Sequence, residues 1–296
     1  MKIILFGAGE ECKRIISYLT WFEEGKTAIL AVADNNWDNI KCICGREVID
    51  PKRIRDYNYD MVVIALDDLK KGNEEAILQI NNQLLEMGIP QSKIVLHNYK
   101  NGFEGNVSYQ TRDNFLKHFS QIVYDNNIEG AVAECGVWRG HFSAVINQCF
   151  PDRKLYLFDT FSSFDSRDLA LECQVSKEWV TSEPIDNKMR NTSVEMVSLR
   201  CPHRENVVIT QGYVPETLKG IEEKFVFVNL DMDLYAPQKT ALEYFAPRMV
   251  KGGIILLHDY FHEKLFGVKK AVHEFTIEHG GTVVPIGDGC SVALIL

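Results

Sequence analysis

The sequence predicts an α/β protein built from two doubly wound domains. Three observations predict it. Short apolar runs alternate with segments of helical periodicity along both halves of the 296-residue chain. These runs are apolar throughout, as expected of strands buried on both faces of a parallel sheet covered by helices. The stretch Asn98–Ser108, NYKNGFEGNVS, carries Gly102 and Gly105 with few aliphatic residues and breaks the pattern as a linker would. The expected domains are residues 1–100 and 101–296.

In the first half, Lys2–Phe6 reads as a strand, and Glu10–Phe22 places Ile15, Ile16, Leu19 and Phe22 at helical spacing. Ala28–Ala33 is a strand ending at Asp34, Met61–Leu66 another, Ala76–Met87 a helix, and Ile94–His97 closes the set. The second half opens with a helix over Thr111–Asp125. Strands follow at Ala131–Cys135, Lys154–Asp159, Val207–Thr210, Phe225–Asp231 and Gly253–Asp259, with helices at Gly140–Phe150, Gln238–Phe245 and Phe266–His279. Thr282–Ile286 and Ser291–Leu296 flank Gly287-Asp288-Gly289 and read as a hairpin. The connection Phe161–Pro202 is long, polar and mixed, the character of a lid or binding segment, and its Trp179 and Arg190 are candidates to frame a polar acceptor.

Composition narrows the function classes. With 46% apolar and 25% charged residues the chain can bury an ordinary core, which excludes a disordered or disulfide-stapled class. Lys plus Arg is 32 against 41 Asp plus Glu, and the net charge of −9 argues against a nucleic-acid partner. No run of ~18 apolar residues suggests a membrane span. The start MKIILFGAGE has a short apolar run that stops at Gly-Ala-Gly, a strand rather than the core of a leader. Eight cysteines without a C-x-x-C pair read as reduced thiols, which with the absence of a leader points to the cytoplasm.

Two glycine turns carry the chemistry. Gly7-Ala8-Gly9 follows a strand and opens a helix, where a phosphate can approach the helix N-terminus, and Asp34 ends the next strand where an acid can meet a ribose diol. Cys12 takes the place of the third glycine of that fingerprint. A bound nucleotide and a plain tight turn both fit. With Ala33-Asp34-Asn35 and Met61–Leu66, this region resembles the nucleotide-binding domains of sugar acyltransferases and nucleotide-sugar enzymes, which implies a dinucleotide, a nucleotide sugar or no ligand.

In the second half, Glu134-Cys135-Gly136-Val137-Trp138-Arg139-Gly140 follows a strand and precedes a helix, and Asp159 ends the next strand 23 residues after Gly136. A ligand with a carboxylate, an amine and a ribose would use all of these, and S-adenosylmethionine (SAM) has all three. Glu134 can meet its positive charge. Asp231 and Asp233 end the fourth strand of this half, and His258 and Asp259 the fifth. Parallel strands share their C-terminal edge, so Asp231, His258 and Asp259 can converge on a divalent cation such as Mg2+ or Mn2+, or can simply cap the following helices.

The spaced motifs ECGVWRG (134–140), LYLFDTF (155–161), TSVE (192–195), LDMDLY (230–235) and GGIILLHDY (252–260) together resemble the macrocin O-methyltransferase family over residues 103–296. The resemblance implies a class I methyltransferase, a seven-stranded sheet whose last strand is reversed, and methyl transfer from SAM to a hydroxyl of a sugar, glycan or glycosylated natural product with a divalent cation. It implies cofactor contacts at Glu134, Gly136, Gly140, Asp159 and Ser163, and metal contacts at Asp231, His258 and Asp259, with Asp231 and His258 in catalysis. His258 stands where many members carry aspartate, which leaves the metal open and makes Asp233 a substitute ligand. Asp231, His258, His262 and His141 are the candidate bases. Two other readings stay open: a nicotinamide-dependent sugar-modifying enzyme using the first domain, and a non-catalytic nucleotide- or SAM-binding protein. A homo-oligomer is compatible with each.

Overall fold

The computed structural model describes residues 1–22, 27–68, 70, 72–97, 107–175, 189, 191–263 and 266–296. Residues 98–106 of the expected linker, with Gly102 and Gly105, and the candidates Trp179 and Arg190 lie outside the described residues. The chain divides into two compact units, Met1–Asn106 and Val107–Leu296.

The first unit runs β1 (Lys2–Phe6), α1 (Glu10–Phe22), β2 (Ala28–Ala33), β3 (Cys42–Ile43), β4 (Arg46–Ile49), β5 (Met61–Ile64), α2 (Asn73–Glu86) and β6 (Ile94–Leu96). Its six strands lie in the order β3-β4-β2-β1-β5-β6. Every pairing is parallel except β3 with β4. Ile15, Ile16 and Leu19 of α1 pack on Ile3, Leu5, Val32 and Val63, so the helical spacing seen in the sequence is the buried stripe. The β3–β4 hairpin was not among the expected elements. Cys44 and Gly45 both hold left-handed backbone, at φ 48° and 75°, as a two-residue turn between twisted strands requires. A two-residue strand beside a four-residue one is too short to show periodicity.

The second unit runs α3 (Val107–Asp125), β7 (Ala131–Cys135), α4 (His141–Cys149), β8 (Leu155–Asp159), α5 (Ser166–Val175), α6 (Val194–Arg200), β9 (Val207–Gln211), β10 (Phe225–Leu230), α7 (Tyr235–Phe245), β11 (Met249–Leu257), α8 (Phe266–His279), β12 (Thr282–Pro285) and β13 (Val292–Ile295). Its sheet has the order β12-β13-β11-β10-β7-β8-β9. Only the last strand, β13, is antiparallel to its neighbours. This is the seven-stranded sheet with a reversed strand that the motifs imply. Helix α5 falls in the connection that the sequence leaves mixed. Ser193 accepts a hydrogen bond from the Met196 N–H at 3.2 Å and so caps α6.

Strands β7 and β10 are buried along their whole length, which is why their sequences are apolar without alternation. Phe227 of β10 lies between Phe119, Phe142 and Phe150 at ring separations of 6.2, 6.5 and 6.2 Å, joining α3 and α4 to the sheet. Each such buried ring contributes about 1.5–3 kcal/mol. The ladder also runs one residue past the strand ends. Gly136 N–H donates to Phe158 O, Asp231 N–H to Cys135 O and His258 N–H to Leu230 O, at 3.0, 2.9 and 3.0 Å. The ends of β7, β8, β10 and β11 are thereby level, and their first loop residues meet on one edge. No helix among the described residues is long and apolar enough to cross a membrane.

Candidate active site

The glycine loop and the acid of the next strand are locked together. Asp159 Oδ2 accepts from the N–H groups of Val137 and Trp138 at 2.7 and 2.8 Å, and Oδ1 from the N–H of Phe161 at 2.7 Å. A carboxylate has about four acceptor positions, so one remains for a ligand hydroxyl. Gly136 sits at φ 82°, and a Cβ there would stand 1.8 Å from the carbonyl oxygen of Asp231. Glycine is therefore required by the packing of the loop on the next strand's end. Gly140, at φ 73°, abuts Val197 and precedes α4. Thr192 donates to the Trp138 carbonyl, and the buried Arg200 donates to Arg139 O at 3.0 Å, so the segment leading into α6 braces the loop from outside. Ser163, beside Asp159, is buried at φ 85°, and among the described residues neither its hydroxyl nor the buried indole N–H of Trp138 has a hydrogen-bond partner.

Glu134 lies beneath this loop, 2% exposed. Parallel register pairs it with Asn229, whose side chain donates to Oε1 at 3.0 Å, while Ser143 of α4 donates to Oε2. Burial pushes the Glu134 pKa up to about 8 against the Ser143 hydrogen bond, with the charge on Asp231 adding to the rise. A raised folded-state pKa gives stability that is full below the unfolded value, about 4.5, and is lost as the pH rises through about 8. Glu134→Gln should therefore flatten the fall in melting temperature between these limits. Wild-type and variant curves that stay parallel across that range would contradict the assignment.

Asp231 is the centre of the second cluster. Its Oδ2 accepts from Arg112 at 3.0 Å, and its Oδ1 is 3.1 Å from Nδ1 of His258. Arg112 comes from α3 and lies over the Phe142 ring at 4.2 Å from its centroid. Burial opposes ionisation of Asp231, but His258 and Arg112 outweigh it and hold its carboxyl well below the ordinary range. Burial likewise opposes the charge on His258, yet Asp231 and Asp259 hold it well above its ordinary value, so the ring favours the imidazolium. Its Nδ1 is 3.0 Å from Asp259 Oδ2. Asp233 and Asp259 both take left-handed backbone, at φ 61° and 59°. Carboxylate oxygens of Asp231, Asp233 and Asp259 lie within 4.8 Å of one another. Burial, then the charges of Asp259 and Asp231, push the Asp233 pKa well above its ordinary value.

The structure thus brings Glu134, Gly136, Gly140, Asp159 and Ser163 to the loop edge, and Asp231, His258 and Asp259 to the adjoining strand ends. His141 lies on the loop side, 6.4 Å from Trp138 between ring centroids, and His262 follows Asp259, donating its N–H to that residue's carbonyl. In the first unit, Asp34 repeats the Asp159 device: Oδ2 accepts from Ala8 N–H at 2.6 Å and Oδ1 from Asn36 N–H at 2.8 Å. Gly7 is at φ 110°, whereas a Cβ on Gly9 would meet nothing within 4 Å. Sequence reasoning missed Arg112 and Cys290. The signal for Arg112 was a charge on the helical stripe Leu116, Phe119, Val123; Cys290 offered none.

A family model described as Macrocin-O-methyltransferase (TylF) matches residues 107–286. The chain belongs to the macrocin O-methyltransferase family. A second model, described as C2185-like, N-terminal, matches residues 1–95. The chain is 26% identical over 177 residues to the 8-demethyl-8-(2,3-dimethoxy-alpha-L-rhamnosyl)-tetracenomycin-C 4'-O-methyltransferase of Streptomyces olivaceus. That alignment covers 56% of this chain and 65% of that enzyme, just under two thirds of its length. It is 25% identical to the mycinamicin III 3''-O-methyltransferase of Micromonospora griseorubida, over 57% of this chain and 69% of that enzyme. The crystal structure of a calicheamicin methyltransferase superposes with a TM-score of 0.52 at 20% identity, covering 76% of this chain and 93% of that one, which establishes a shared fold.

Proposed function

We propose that the chain is a SAM-dependent O-methyltransferase whose acceptor is a hydroxyl of a sugar, in a glycan or on a glycosylated natural product. The observation that carries this reading is the meeting, on one sheet edge, of the Asp159-anchored loop with the carboxylates of Asp231, Asp233 and Asp259. Family membership supports the reaction type, and the sugar-directed activities in the relatives' names support the acceptor class.

SAM would supply the electrophilic methyl group. The residues present fit it: a spare acceptor position on Asp159, the unpartnered Ser163 hydroxyl and Trp138 N–H, and the glycine loop at the start of α4. A divalent cation would lower the pKa of the acceptor hydroxyl. Three carboxylates are the hard oxygen set that Mg2+ or Mn2+ takes; burial and then the charges of Asp259 and Asp231 raise Asp233, and a cation would relieve the repulsive part. Asp231 is engaged by Arg112 and His258, and Asp259 by His258 and Cys290. Asp233 faces acids; in this reading it ionises when a cation offsets those neighbours, and the carboxylate oxygen it does not give to the cation accepts the hydroxyl proton, while Asp231, held by Arg112, fixes the geometry of the edge. His258, an imidazolium between two carboxylates, neutralises them rather than acting as base. The loop and α6 keep the acceptor oxygen and the methyl carbon in line.

Residues 107–296 carry the reaction in this reading. This reading does not call on the nucleotide-type loop of the first unit, whose helix opens with Glu10 and Glu11, charges that disfavour a pyrophosphate there. The test is methyl transfer from radiolabelled SAM to a panel of nucleotide-linked and macrolide- or aromatic-linked deoxysugars. Turnover that falls about 100-fold or more in Asp233→Asn supports the reading. Full turnover in that variant contradicts the assigned base, and transfer to none of the sugar acceptors contradicts the substrate class.

A further inference from the structure

We infer that this edge carries a second metal position, formed by His258, Asp259 and Cys290, which takes a borderline-soft divalent transition ion of the zinc class. A ring nitrogen of His258, a carboxylate oxygen of Asp259 and Sγ of Cys290 lie within 4.8 Å of one another. Cys290 Sγ is 3.4 Å from Asp259 Oδ1, and His258 Nδ1 is 3.0 Å from Asp259 Oδ2. Nitrogen, oxygen and sulfur donors on one tetrahedral zinc ion stand about 3.3–3.8 Å apart; here the thiol and the ring approach different oxygens of the Asp259 carboxylate, so a rotation of that carboxylate is needed to bring one oxygen, the ring nitrogen and Sγ onto a single ion.

The thiol is delivered by a built turn. Asp288 Oδ1 accepts from the N–H groups of Cys290 and Ser291 at 2.9 and 2.6 Å, and its Oδ2 accepts from the Ser291 hydroxyl at 2.6 Å. Asp288 and Ser291 are buried. The Cys290 carbonyl accepts from the Phe261 N–H at 3.1 Å, tying the β12–β13 loop to the turn after β11. Asp259 is held in left-handed backbone at φ 59°, and its two carboxylate oxygens meet the thiol and the ring.

The donor chemistry separates this position from the carboxylate triad. Once an ion displaces the ring and thiol protons, imidazole and thiolate select zinc-like ions over magnesium, and three protein ligands with an open fourth position is the pattern of zinc sites that keep room for water or substrate. Asp259 belongs to both sets, so the two ions exclude each other. The site itself does not depend on the proposed reaction; only its effect on turnover rests on that reading.

The test is a titration of the full chain with CoCl2, without SAM or acceptor, followed by absorption. The expected result is a thiolate-to-cobalt charge-transfer band saturating at a single equivalent, bleached by ZnCl2 and resistant to excess MgCl2. Cys290→Ser, checked for folding by its melting temperature, should lose the band and bind cobalt on the order of 100-fold more weakly. His258→Asp should also weaken cobalt binding. Absence of the band in the wild type, or the same band in Cys290→Ser arising from the exposed Cys42, Cys44 or Cys173, overturns the inference. Because the readout needs neither SAM nor acceptor, its failure is distinct from failure of the methyltransferase reading.

Discussion

Asp231→Asn should reduce methyl transfer by about 1,000-fold, the scale expected when a preorganised charge at the reacting edge is removed. Asp231 joins every part of the second cluster: Arg112 at 3.0 Å, His258 at 3.1 Å, and the oxygens of Asp233 and Asp259 within 4.8 Å. Its loss leaves two cationic groups facing a neutral amide. Removing one partner of a buried pair costs about 3–5 kcal/mol. Asp231 is 22% exposed, so solvent screening brings the expected loss of stability to about 2 kcal/mol. Steady-state turnover and thermal unfolding on the same preparation separate the two effects. A variant that loses stability but keeps its kcat would show that Asp231 is a structural ion pair and nothing more.

Gly136→Ala should do most damage to the fold. The added Cβ would lie 1.8 Å from a backbone oxygen, in a left-handed conformation at φ 82°, so neither a rotamer change nor a flexible neighbour can absorb it. A cost above about 4 kcal/mol is expected. In a unit of this size that corresponds to a fall of roughly 10 °C in melting temperature, together with loss of SAM binding. The other loop glycines set the scale. Gly140→Ala meets the side chain of Val197 at 3.0 Å, which can move, and should be milder. Gly9→Ala meets nothing within 4 Å at an ordinary φ and should be close to neutral. A melting temperature for Gly136→Ala within a degree or two of the wild type would contradict the loop geometry.

The reversed last strand was legible only through the family resemblance of the spaced motifs, whereas the loop after β7 and the acids at the ends of β8, β10 and β11 were legible because parallel strands put their C-terminal residues on one edge. Counting strands is then enough to place Glu134, Asp159, Asp231 and Asp259 near one another. What sequence could not show is how they are used. Asp159 reads as a free ribose acceptor but spends three of its acceptor positions on backbone N–H groups. Arg112 reaches Asp231 across 119 residues, and no local pattern encodes that contact. The left-handed backbones of Asp233 and Asp259 are a conformation that Asp tolerates but that its presence in the sequence does not announce. Cys290 reaches the cluster through the turn that Asp288 closes. The β3–β4 hairpin was missed because its turn is Cys-Gly, without the Asn or Asp that usually announces left-handed residues.

Calorimetric titration of S-adenosylhomocysteine into the wild-type chain and into Asp159→Ala tests the central claim most directly. The account predicts binding to the wild type with a raised melting temperature, and a loss of affinity of at least about tenfold in the variant as the loop and its ribose-side acid are lost together. No binding to a folded wild type, with or without MgCl2, would contradict it.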